Sequence, residues 1–84
     1  MKARQEDVVW REVEGQTVIL DLKTSSYLTT NVSGTRMWQL LQDGRQQLEL
    51  EEELISAYGI SEEDAKRDVI SFLDMLRENN FLVE

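Results

Sequence analysis

Eighty-four residues allow one small domain with a modest core, spanning residues 1–84. The chain has neither Cys nor His, which excludes disulfides and thiolate metal sites and removes the commonest metal ligand and the commonest general base. Seventeen acidic residues face nine basic ones for a formal charge of −8, a balance that opposes binding to phosphate backbones; the acids read as a solvated surface that also helps select a partly basic partner.

The first part of the chain reads as strands. Val8 to Val13 is rich in β-branched and aromatic residues. Glu14-Gly15 supplies a tight turn, because Gly accepts positive φ. Gln16 to Leu22 continues as a second strand, with Val18, Leu20 and Leu22 on one face and Thr17, Ile19 and Asp21 on the other. Lys23 to Ser25 reads as a turn, and Ser26 to Thr30 as a third, shorter strand.

Helices follow. Asn31 suits an N-cap, since its carboxamide can accept from an orphan N–H of the first turn. The first helix is predicted over Val32 to Gln42, with Val32, Met37, Trp38 and Leu41 as its apolar side and Gly44 ending it. The second is predicted over Leu50 to Tyr58, with Leu50, Leu54, Ile55 and Tyr58 inward and Gly59 as the stop. Ser61 to Asp64 has the form of a capping box opening a third helix that runs to Glu78. Phe81 to Val83 is predicted to pack back as a short tail. Three strands followed by three helices predict an α+β domain of the winged-helix kind.

At 100° per residue, Ala65, Val69, Phe72, Leu73 and Leu76 share one stripe of the third helix, and this stripe reads as core. Asp64, Asp68, Ser71 and Met75 fall together on one flank, with Phe72 at the boundary. Met75 is off the core axis, and an exposed Met is adaptable at peptide-binding surfaces. Ile70 lies on the opposite flank with Lys66 and Arg77.

The sequence holds little catalytic chemistry. Glu49, Glu51, Glu52 and Glu53 form the obvious acidic cluster, but acids near a helix start are favoured by the helix dipole. No Ser or Thr has a nucleophile context, no phosphate-cradling Gly loop is present, and no calcium-loop spacing occurs. The expectation is a protein that is not an enzyme, carries no cofactor or metal, and binds neither nucleic acid nor membrane. The lack of a signal segment or long apolar run predicts a cytoplasmic location.

The stretch Tyr27 to Trp38 resembles the PqqD-like family, the peptide recognition elements of ribosomal-peptide biosynthesis. Tyr27, Asn31, Gly34 and the Met37-Trp38 pair stand at the family's marks, whereas Thr30 stands where Leu is usual. Asp68-Val69, Phe72-Leu73, Leu76 and Phe81-Leu82 continue the family spacing, so the resemblance runs from Val8 to Val83. It implies a winged helix-turn-helix that binds the leader of a precursor peptide as a strand added to the third strand, beside the third helix. On that reading Ser26, Tyr27, Leu28, Thr29 and Thr30 supply the backbone ladder. Phe72 and Met75 supply apolar pockets; Asp64, Asp68 and Ser71 read polar or basic leader residues, with Arg67 at the rim. The implied role is to deliver the leader to partner enzymes, a peptidase and a cyclase of lasso-peptide synthesis. The alternative within the family is a chaperone of the pyrroloquinoline quinone precursor peptide.

Two rival readings remain. A DNA-binding winged helix shares the fold, but Ser61 to Asn79 carries six acids and three bases where a major-groove helix is basic. A scaffold that binds only a folded enzyme is the other.

Overall fold

A computed structural model describes residues 1–84. The elements are β1 (Lys2–Ala3), β2 (Val8–Val13), β3 (Gln16–Asp21), β4 (Tyr27–Thr30), α1 (Val32–Gln42), α2 (Gln47–Tyr58), α3 (Glu62–Glu78) and β5 (Leu82–Val83). Strands β2, β3 and β4 make an antiparallel sheet in that order, and β1 pairs with β5 separately. The mixed α+β class, the three-stranded sheet and the three helices agree with expectation. The β1–β5 pair is new: the tail does pack back, with Phe81 buried, but its next two residues are also strand-paired.

Local chemistry explains most boundaries. Glu14 and Gly15 both have positive φ, 53° and 81°, which suits a two-residue hairpin between twisted strands. Asn31 caps α1 by accepting from Gly34 N at 2.9 Å. Ser61 caps α3 by accepting from Asp64 N at 3.1 Å. Helix α2 starts earlier than expected, at Gln47, because Glu49 accepts from Gln46 N at 3.3 Å and closes the first turn. Its left-handed stop at Gly59 has φ 63°.

The sheet is buried on the face that looks more polar. Thr17, Ile19 and Asp21 of β3 are buried, while Val18 and Leu22 are exposed beside Val9, Val13 and Tyr27. Polar atoms are tolerated inside because they are paired. Thr17 Oγ1 donates to Thr35 Oγ1 at 2.8 Å. Asp21 accepts from both terminal nitrogens of Arg4 at 3.2 Å. Arg4 also donates to Asn80 O at 2.9 Å, so this side chain ties the start of the chain to β3 and to the end of α3.

The core gathers Ile19, Met37, Trp38, Leu41, Leu50, Leu54, Val69, Phe72, Leu73, Leu76 and Phe81. The α3 stripe is buried as expected. Trp10 meets Trp38 edge-on, with ring centroids 6.4 Å apart. Two residues expected inside are not: Val32 is 58% exposed and Tyr58 is 48% exposed. Val32 is the first residue of α1 and Tyr58 the last of α2, so both stand at helix ends, beyond the layer where helices and sheet close on one another.

Candidate functional site

Strand β4 has a neighbour on one side only, so its other edge is open. Asp21 N donates to Ser26 O at 2.9 Å. The register continues Leu20↔Tyr27, Ile19↔Leu28, Val18↔Thr29, Thr17↔Thr30. Bonded pairs alternate along an antiparallel ladder, so Leu28 and Thr30 bond to β3. The N–H and C=O of Tyr27 and Thr29 turn to the open edge. Ser26 has both backbone groups engaged, its N–H donating to Thr24 Oγ1 at 3.3 Å and its C=O accepting from β3. The edge is therefore shorter than Ser26 to Thr30, and half of its groups already serve the sheet.

A cleft of about 540 Å³ runs beside this edge. Thr29 and Thr30 line it from β4, and Asp68, Ser71, Phe72 and Met75 from α3. These six were expected together, and the structure brings them together. Four further wall residues escaped sequence reasoning as site residues: Asn31, Ser33, Gly34 and Met37. The signal was available, since the start of α1 follows β4 directly and must border the same space.

Gly34 makes the cleft possible. A Cβ there would sit 2.8 Å from Thr30 Cβ and 3.2 Å from the Phe72 ring, so any side chain would force α1 away from β4 and α3. Thr30, in the place usual for Leu, is 4% exposed, and its hydroxyl lies 3.1 Å from Thr35 Oγ1. Three threonines of β3, β4 and α1 thus form a buried chain, of which Thr30 lines the cleft.

The rim is charged. Arg67 pairs with Asp64 at 3.0 Å and lies 3.8 Å from Asp68. Asp68 lines the cleft, whereas Asp64 and Arg67 stand outside it. Tyr27 is 69% exposed on the outer sheet face, and Leu28 is half-buried toward the core. Nowhere do three carboxylates gather to hold a metal ion, and no helix is long and apolar enough to cross a membrane.

Sheet, helices and open edge define a small α+β domain whose cleft opens directly onto unpaired strand backbone. The chain belongs to the PqqD family: the model of coenzyme PQQ synthesis protein D matches residues 16–82. Among solved structures, TbiB1 in complex with the TbiA(beta) leader peptide is 28% identical, with a TM-score of 0.90 over 98% of this chain and 94% of that one. Lasso peptide synthetase B1 complexed with the leader peptide is 24% identical, with a TM-score of 0.86 over 95% of this chain and 94% of that one, a likeness of fold. No curated protein sequence matches.

Proposed function

We propose that this protein binds the leader of a ribosomally made precursor peptide and presents it to processing enzymes, without catalysing a step itself. The leader adds to β4 as an antiparallel strand, taking its bonds from Tyr27 and Thr29. Its apolar side chains lie against Phe72 and Met75, and a basic or polar residue meets Asp68 and Ser71. Arg67 occupies Asp64 and Asp68 in the free protein, and a basic leader residue competes with it. We read the arrangement as a winged helix-turn-helix working in the cytoplasm.

The observation that carries this reading is the open β4 edge beside a mixed apolar and acidic cleft. An extended peptide satisfies unpaired edge groups, and alternate side chains find pockets. Family membership supports the same reading, and the likeness to a leader-bound TbiB1 favours lasso-peptide synthesis, with a peptidase and a cyclase as partners. The family's name keeps quinone-cofactor synthesis as the second reading. The acids of α3 oppose the DNA-binding one.

Calorimetry with the leader of the precursor encoded beside this chain's gene tests the proposal. Micromolar to nanomolar affinity is expected, about 8 to 12 kcal/mol. Absence of binding at high concentration overturns the leader-binding role. Binding of a quinone-type precursor instead moves the protein to the second pathway.

A further inference from the structure

Strand β4 is one edge of the three-stranded sheet, and β2 is the other. The proposed leader occupies only the first. Leu22 N donates to Asp7 O at 2.8 Å, and the register runs on through Val9↔Leu20, Arg11↔Val18 and Val13↔Gln16. Bonded pairs alternate along an antiparallel ladder, so Val9, Arg11 and Val13 bond to β3. The N–H and C=O of Val8, Trp10 and Glu12 turn to the open edge. Strand β2 is six residues long and in unbroken register, with neither Pro nor Gly nor Lys in it. Sheet edges are ordinarily blunted by Pro, Lys, a bulge or a covering segment. Here Val9 to Val13 are all exposed, and nothing blunts the edge.

We infer that the β2 edge pairs with β2 of a second copy of this chain, antiparallel across a two-fold axis at Trp10. The charges of the strand select that register. Centred on Trp10, the pairing sets Val8 opposite the partner's Glu12 and Val9 opposite the partner's Arg11, so no like charges stand directly opposite. An axis at Arg11 would oppose two guanidinium groups, and one at Glu12 two carboxylates, both destabilising. An axis at Val9 would keep only Val8 to Trp10 within the strands. A two-fold interface repeats each contact. On the outer face Val9, Arg11, Val13, Val18 and Leu20 surround a shallow apolar hollow of about 510 Å³, and the stem of Arg11 covers the partner's Val9. On the inner face Trp10, 40% exposed and edge-on to Trp38, meets the partner's Trp10. The pairing joins two three-stranded sheets into one and leaves a β4 edge free at each end. The dimer therefore carries two leader sites on the reading above, but its formation does not depend on that reading. The charge of −8 on each copy opposes association at long range, and salt screens that repulsion.

Sedimentation velocity of the full chain over a range of concentrations, at low and high salt, tests this. A short shared edge belongs to the weak, transient class of interfaces, so a concentration-dependent monomer–dimer equilibrium is expected, tighter at high salt. Glu12→Pro removes an outward N–H and spares the bonds to β3; a thermal melt near wild type establishes that it folds, and the dimer should weaken at least about tenfold. Two variants of the exposed Val9 read the register. Val9→Lys sets like charges opposite Arg11 and should weaken the dimer about threefold or more, whereas Val9→Glu sets a carboxylate there and should tighten it by a similar factor. A chain that stays monomeric at every concentration and salt overturns the proposal. So does a dimer that ignores Glu12→Pro, or that answers Val9→Lys and Val9→Glu alike, since it then uses another surface or register. If Glu12→Pro fails to fold, the opposite responses of the two Val9 variants decide. Calorimetry with the leader of the precursor encoded beside this chain's gene should give equal affinity in wild type and Val9 variants. A dimer that dissociates when this leader saturates it would lie at the β4 edge, and the proposal would fail while leader binding stands.

Discussion

Adjacent residues of β4 do opposite jobs. Thr29 turns its N–H to the open edge, and Leu28 turns its N–H to β3. Proline lacks the donor and is tolerated only where the N–H faces outward. Thr29→Pro should therefore leave the melting temperature within a few degrees of wild type and weaken leader binding sharply. Leu28→Pro should break a sheet bond and destabilise the domain with or without peptide. Paired melts and calorimetry separate the two. Equal loss of stability in both variants would show that the alternation has been assigned to the wrong residues. Thr30 is a different case: its buried hydroxyl chain with Thr35 and Thr17 gives β4 a polar anchor, and such a network holds only when every member is satisfied.

Helix α3 serves the core and the cleft with neighbouring faces. Val69, Leu73 and Leu76 are buried with at most 1% exposure, whereas Met75 is half-buried on the cleft wall. Leu73→Ala should destabilise the domain by about 2–5 kcal/mol through the cavity it leaves, regardless of ligand. Met75→Asp should leave the fold intact and weaken the leader by roughly 1–3 kcal/mol, because it sets a charge against an apolar peptide face. Denaturant titration of both variants, with calorimetry of the second, checks the division. Unfolding of Met75→Asp would place Met75 in the core.

At the scale of the whole fold, the ion pair of Arg4 with the buried Asp21 ties the start of the chain to β3. Hydrogen bonds from Arg4 hold the Asp21 carboxyl down at about 2, below its ordinary 3.8, against the opposing effect of burial; Lys23 N and Thr24 N add to the lowering. A depressed carboxylate stabilises the folded state fully above its unfolded value. That contribution is lost as pH falls from about 4 toward 2. Asp21→Asn should be less stable than wild type near neutral pH. The gap should narrow across this acid range, since the other carboxylates titrate in both proteins. Urea melts of the pair from about pH 6 to pH 2.5 measure it. A constant gap would mean that the charge of Asp21 contributes nothing. With Arg4 also holding Asn80 O, β1 and β5 are kept next to each other.

What the sequence determined by itself is local. The Asn31 and Ser61 caps, the Glu14-Gly15 turn, the bounds of α1 and α3 and the buried stripe of α3 depend on bonds and φ angles within a few residues. That Ser26 to Thr30 holds a strand and that Asp68, Ser71 and Met75 share a flank of α3 were legible for the same reason, from strand texture and helical period; that the two border one cleft was implied by the family resemblance. The tertiary structure decided which sheet face is inside. Polarity favours Val18, Leu20 and Leu22, yet Thr17 and Asp21 are buried with Ile19 because Thr35 and Arg4 arrive from elsewhere in the chain to pair with them. It also decided that β1 meets β5, that Val32 and Tyr58 stand together at a pocket, and that within β4 only Tyr27 and Thr29 turn their backbone to the open edge. Each of these depends on a partner far away in sequence, and residue texture has no period that reports a partner it has not yet met.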